Sequence, residues 1–208
     1  MDHALLTAFV KGLALSAGLI IAIGAQNLFV LRQGLKGEHV APIVVLCATS
    51  DAVLISAGVN GLGGLLALIP GLSLVLSLGG AAFLAWYGVS ALRRAARAST
   101  LIAAAGAPMA LGAALAGAAA FTFLNPHVYI DTVLLTGAVG AALPAPQRPL
   151  FVAGAVTASV LWFSSLGFGA RLVAPLFARP AAWRVLDVAV GTMMLGLAGS
   201  LLWGVARP

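Results

Sequence analysis

The sequence predicts an all-α, polytopic membrane protein of about six transmembrane helices, read as two inverted three-helix repeats whose first and fourth helices are broken. Three observations carry this. The 208 residues are 62% hydrophobic and 8% charged, with a mean hydropathy of +1.12, whereas a soluble domain holds about 25% charged residues and needs polar groups to cover its surface. The apolar residues fall in runs without a charged side chain, at 12–31, 52–92, 98–130, 149–170 and 188–206, and about 20 such residues cross a bilayer. Two of the runs are interrupted from within, by Gly24-Ala25-Gln26-Asn27 and by Asn125-Pro126. This composition excludes a soluble enzyme, a nucleic-acid-binding protein and a disordered chain.

The first helix is expected at about 5–31. Met1-Asp2-His3 lacks the basic start of a secretory signal, so that helix reads as retained. The second is expected at about 41–62 and the third at about 72–92, with Pro70-Gly71 marking the turn between them. A loop at 93–107 opens with Arg93, Arg94 and Arg97. The fourth helix lies within 108–142, a stretch too long for one straight span and too short for two. The fifth is placed at about 150–170 and the sixth at about 185–206, after the punctuation of Pro144, Pro146 and Pro149. The chain 1–208 is thus a single transmembrane domain, with repeat 1 at about 1–92 and repeat 2 at about 108–208. The repeat is carried by Ser50, Ser56 and Gly58, which recur as Ser159, Ser165 and Gly167, and by Gly80 and Gly88, which recur as Gly191 and Gly199. Three crossings per copy invert the second copy, and inverted repeats are typical of secondary transporters, with substrate bound where the halves meet.

Basic residues in short loops orient the chain, because they are retained on the cytoplasmic side. Arg32, Lys36, Arg93, Arg94, Arg97, Arg171, Arg179 and Arg184 fall on one side, against Arg148, Arg207 and Lys11 on the other. The loop 93–107 is then cytoplasmic and both termini extracytoplasmic. Trp86, Trp162, Trp183 and Trp203 read as interfacial anchors.

Against this apolar background a few residues stand out. Asp51 sits about ten residues into the second span, near the bilayer centre, where a carboxylate costs about 2.5–3.5 kcal/mol and is kept for a cavity or a partner. Asp131 lies in the fourth segment beside Asn125, His127, Tyr129 and Thr132. Asp187 is expected to be structural, three residues after Arg184 in the first turn of the last helix. Proline has no amide hydrogen to give mid-helix, but Asn then Pro is a favourable cap and first helical residue, so a half-helix should start at Pro126. Gly24 should open a comparable break at Gln26 and Asn27. Irregular backbone at membrane depth is tolerated only in a protein-lined cavity, and a half-helix N-terminus offers amide hydrogens to an anion. Two acids with two such N-termini suit a ligand bearing one carboxylate and further cationic nitrogens, namely a basic amino acid. His3, His39 and His127 lack metal-ligand spacing, so no metal and no cofactor is expected; His127 could relay protons. Cys47, the lone cysteine, has no partner for an intramolecular disulfide.

Gly24-Ala25-Gln26-Asn27 with Gln33-Gly34, then Cys47-Ala48-Thr49-Ser50-Asp51, then Leu124-Asn125-Pro126-His127-Val128-Tyr129-Ile130-Asp131-Thr132 resemble the LysE-type lysine/arginine exporter family, with the arginine-exporter branch nearest. The resemblance implies an inner-membrane exporter of basic amino acids, arginine and with it lysine, driven by the proton-motive force. It makes Asp51 and Asp131 the functional acidic pair for substrate or proton, and Gln26, Asn27, Asn125, Pro126 and Tyr129 substrate-side residues. The family has proline where this chain has Ala25. The expected partners are a basic amino acid, protons, the bilayer and at most a second copy of the chain; nucleic acid is not among them. Export of neutral amino acids or of a divalent cation remains open at this point, as does a non-transporting subunit. An intramembrane aspartyl protease would want Gly-x-Gly-Asp, whereas Ala48-Thr49-Ser50 precedes Asp51, so the chain is not expected to be an enzyme.

Overall fold

A computed structural model of the chain describes residues 3–21, 24–61, 71–96, 109–175 and 179–206, and in them the fold is helical throughout. The helices are α1 (His3–Ile20), α2 (Ala25–Lys36), α3 (Val40–Val59), α4 (Leu72–Ala96), α5 (Leu111–Phe123), α6 (Pro126–Ala141), α7 (Arg148–Val173) and α8 (Pro180–Ala206). Four of them, α1, α3, α7 and α8, are long and apolar enough to cross a bilayer. The pair α5–α6, bent by 59° at its break, makes a fifth candidate. The fourth segment is therefore broken where Asn125-Pro126 predicts. The third helix runs on through Arg93 and Arg94 to Ala96, past the expected loop start, because alanine and arginine favour helix. Residues 97–108, the rest of that loop, lie outside the described residues, as does Pro70.

Glycine sets the packing. A methyl group on Gly12 would lie 2.0 Å from the Phe151 carbonyl oxygen, and one on Gly154 would lie 2.0 Å from that of Phe9. Further along, Gly34 meets the Gly167 carbonyl at 2.3 Å on the same measure. So α1 and α2 lie end to end along α7 and run in its direction, backbone against backbone. In the same way α3 crosses α6 where Gly58 meets Val133 and Gly137. The α4–α8 pair is antiparallel and crosses at Gly88 and Gly191. Small residues allow such close approach, and van der Waals contact replaces the hydrophobic drive that lipid cannot supply. Gly58→Ala would put its methyl 2.5 Å from the Val133 oxygen and is expected to cost about 1–3 kcal/mol; a lowered thermal midpoint of the purified protein checks it.

Many large apolar side chains face outward. Val75 (68% exposed), Trp86 (65%) and Trp203 (61%) are examples, as suits a surface solvated by lipid tails. Buried polar side chains collect instead at Ser16, Gln26, Asn27, Gln33, Ser50, Asp51, Thr122, Thr136, Ser159 and Asp187. These ten positions mark where the interior departs from a simple apolar bundle.

Candidate functional site

Both helix breaks open on one cavity of about 270 Å³, near the lower end of the range for small-ligand pockets. It is lined from the first break by Gly24, Gln26 and Asn27, and from the second by Asn125 and His127. Asp51 of α3 and Asp131 of α6 add two carboxyl groups, and Ser16, Thr132 and Thr136 add hydroxyls. Pro126 and Tyr129 stand outside that lining. Pro126 is the first residue of α6, and the Tyr129 hydroxyl donates to the Phe123 carbonyl at 3.0 Å, tying the two sides of the break together.

The breaks are built differently. At the second, Asn125 is extended (φ −96°, ψ 108°) and its Oδ1 accepts from the His127 amide at 3.1 Å. This is the cap its sequence predicts. Gly80 of α4 seats the break: a methyl there would lie 2.1 Å from the Leu124 carbonyl oxygen. At the first break α1 ends at Ile20 and α2 begins at Ala25, with Gly24 extended as its cap residue (φ −110°, ψ 178°). Gln26 and Asn27 thus belong to the first turn of α2 and not to the gap itself. Asn27 donates its Nδ2 hydrogen to the Ile20 carbonyl at 2.8 Å, satisfying an acceptor that the ended helix leaves open. Ala25, at the first helical position, stands where proline is also compatible with a helix start.

Asp51 is 5% exposed, and one carboxylate oxygen accepts from the Ser159 hydroxyl of α7 at 2.7 Å. Asp131 is half-buried on a π-helical stretch, Tyr129–Thr136, within α6. The wider π turn displaces successive side chains, a feature found often at functional positions. Here the Thr136 side-chain hydroxyl donates to the Asp131 backbone oxygen, five residues back, at 2.7 Å. The cavity therefore presents two carboxylates and the amino ends of α2 and α6. A cation is matched by the former, an anion by the latter. Among the described residues no group of three or more His, Cys, Asp or Glu could hold a metal ion.

Ser159 was visible in sequence only as a repeat match of Ser50; its bond to Asp51 joins residues 108 apart, beyond local reading. Asp187 requires a correction. Because α8 starts at Pro180, Asp187 lies in its interior, not in a first turn. It pairs with Arg32 and with Arg94 (3.3 Å), not with Arg184, which is exposed.

Comparison with known proteins agrees with this architecture. Residues 17–204 match the family model of the LysE type translocators. The putative amino-acid transporter Rv0488 of Mycobacterium tuberculosis is 49% identical over 178 residues, covering 86% of this chain and 88% of its own. The arginine exporter protein ArgO of Yersinia enterocolitica is 41% identical over 198 residues, covering 95% and 97%. That of Serratia proteamaculans is 40% identical over 200 residues, covering 96% and 98%. No solved structure matches. With the family model spanning residues 17–204 and these relatives covering 86–96% of the chain, this multi-pass membrane protein belongs to the LysE family of translocators.

Proposed function

We propose that the chain is a secondary exporter of L-arginine, with L-lysine as a second substrate, in the bacterial inner membrane. The observation that carries this is one cavity holding Asp51, Asp131 and the amino ends of two broken helices. The substrate carboxylate meets the amino end of α2, and α6, whose first amides are already bonded at Asn125 and Pro126, adds the positive end of its dipole. Its guanidinium and ammonium meet the two aspartates. Relatives named arginine exporters, similar over nearly their whole length, support the same substrate. A neutral amino acid would leave one of the two carboxylates uncompensated, at the cost that attends a lone buried charge.

Six crossings fit the packing. Helix α4 has 25 residues and lies antiparallel to α8 over its length, so α4 counts with the five candidates. The Gly58–Gly137 contact of α3 with the second broken helix has its counterpart in the Gly167–Gly34 contact of α7 with the first. This pairing supports the inverted repeat and alternating access across it, while the basic residues collected near Arg32, Arg93 and Arg171 support extracytoplasmic termini. Moving a cation outward against a membrane potential, negative inside, costs about 2.3 kcal/mol per charge per 100 mV. Export is therefore coupled to proton entry through one of the two aspartates.

The test is transport by purified protein in liposomes loaded with labelled arginine. Counterflow with arginine and lysine, and none with neutral amino acids or divalent cations, is the expected result. Arginine flux at the empty-liposome level overturns the reading. Ser159→Ala, which removes the hydroxyl from Asp51, is expected to slow arginine flux about tenfold, in line with a lost hydrogen bond to a charged group.

A further inference from the structure

Arg32, Arg94 and Asp187 lie outside the cavity, yet they form an ion cluster, centred on the buried Asp187, that joins three helices. The side chains are 12%, 30% and 2% exposed respectively. Asp187 stands ten residues before the cavity-lining Leu197 on α8, about 15 Å away along a helix at 1.5 Å per residue. Arg32 lies five residues beyond Asn27 on α2, so both point to the bundle end away from the cavity. Between cavity and cluster lies an aromatic layer. The Phe29 and Phe121 rings are 5.1 Å apart, those of Tyr87 and Phe121 are 4.8 Å apart, and the Arg94 guanidinium lies 5.6 Å over the Tyr87 ring.

A buried ion pair contributes little net stability, because desolvation offsets the attraction; its best-attested use is to specify one arrangement over another. Here it spans α2 and α8, whose remaining contacts are sparse. Resting on the transporter reading above, we propose that Arg32, Arg94 and Asp187 are gate residues. With the aromatic layer they hold the path shut at the end opposite the cavity, and transport requires the Arg32–Asp187 contact to part. Opening the gate removes the cover from Cys47, which is fully buried beside Gln26, one turn from Asp51 toward the gate.

The lone cysteine supplies the assay. Wild type, Asp187→Asn, Arg94→Gln and Gly58→Ala are reconstituted and labelled with a membrane-permeant maleimide, with Cys47→Ala as the blank. Wild type and Gly58→Ala are expected to label slowly. Asp187→Asn and Arg94→Gln are expected to label about fivefold faster or more, the change that a loss of roughly 1 kcal/mol makes in a two-state ratio. Wild-type rates in both gate variants overturn the proposal, as does equal acceleration in Gly58→Ala, which would report general loosening. If Asp187→Asn does not elute as folded protein, Arg94→Gln alone decides, since its contact is the longer and more exposed one. Labelling needs no transport. A chain that labels as expected but carries no arginine refutes the substrate reading and leaves the gate standing.

Discussion

Asp51→Asn is expected to lower arginine flux by about tenfold to a hundredfold, while the protein still inserts and purifies. The lower bound follows from losing one charge-assisted contact to the guanidinium, worth about 1.5–3 kcal/mol. Asparagine keeps the shape and can still accept from Ser159, which bonds the carboxylate in the wild type, so packing is preserved and the loss reports charge. Asp131→Asn should act in the same direction. Its half-buried position lets water replace part of the lost contact, so its effect should be the smaller. Initial rates of counterflow in proteoliposomes, normalised to protein, measure both. Normal flux in both variants would remove the acidic pair from the mechanism.

Joining the second break should be nearly as damaging. Asn125→Leu with Pro126→Ala removes the cap on the His127 amide and restores a donor at position 126, so α5 and α6 can continue as one helix. A straight helix loses the 59° bend and no longer turns the positive end of the α6 dipole toward the cavity. A charge at a helix amino end is worth up to about 2 kcal/mol when partly buried, so arginine flux should fall about tenfold or more. Because the changed segment is more apolar than before, insertion and expression should hold. Flux measured beside the thermal midpoint separates the two effects: lost flux with an unchanged or raised midpoint is the expected pair of results.

Much of this was legible in the sequence because it violates local rules. A carboxylate ten residues inside an apolar run, and a proline where a span should continue, stand out with no knowledge of what they touch. Helix α6 does begin at Pro126, and Asp51, Asp131 and Asn125 do share one cavity. What the sequence hid depends on distance along the chain. Arg32 and Arg94 look like ordinary loop-flanking charges, and Asp187 has Arg184 as an obvious neighbour. Its actual partners are 155 and 93 residues away. Gly24, read as opening the first break, does cap α2, but Gln26 and Asn27, polar in sequence, are helical, and the Asn27 side chain reaches back to Ile20. The π turn at Tyr129–Thr136 has no compositional mark at all.

The glycine contacts along α7 also decide which seams of the bundle can part. Where Gly12, Gly34, Gly154 and Gly167 let main chains touch, there is no cushion of side chains to deform, so α1, α2 and α7 fit like tongue and groove and are expected to move as one body in the cycle proposed above. The α4–α8 pair forms a second such block through Gly88 and Gly191. The two blocks meet instead through side chains, such as Phe29 against Tyr87, and are bridged at one end by guanidinium and carboxylate, groups that can exchange partners with water without any helix being unpacked.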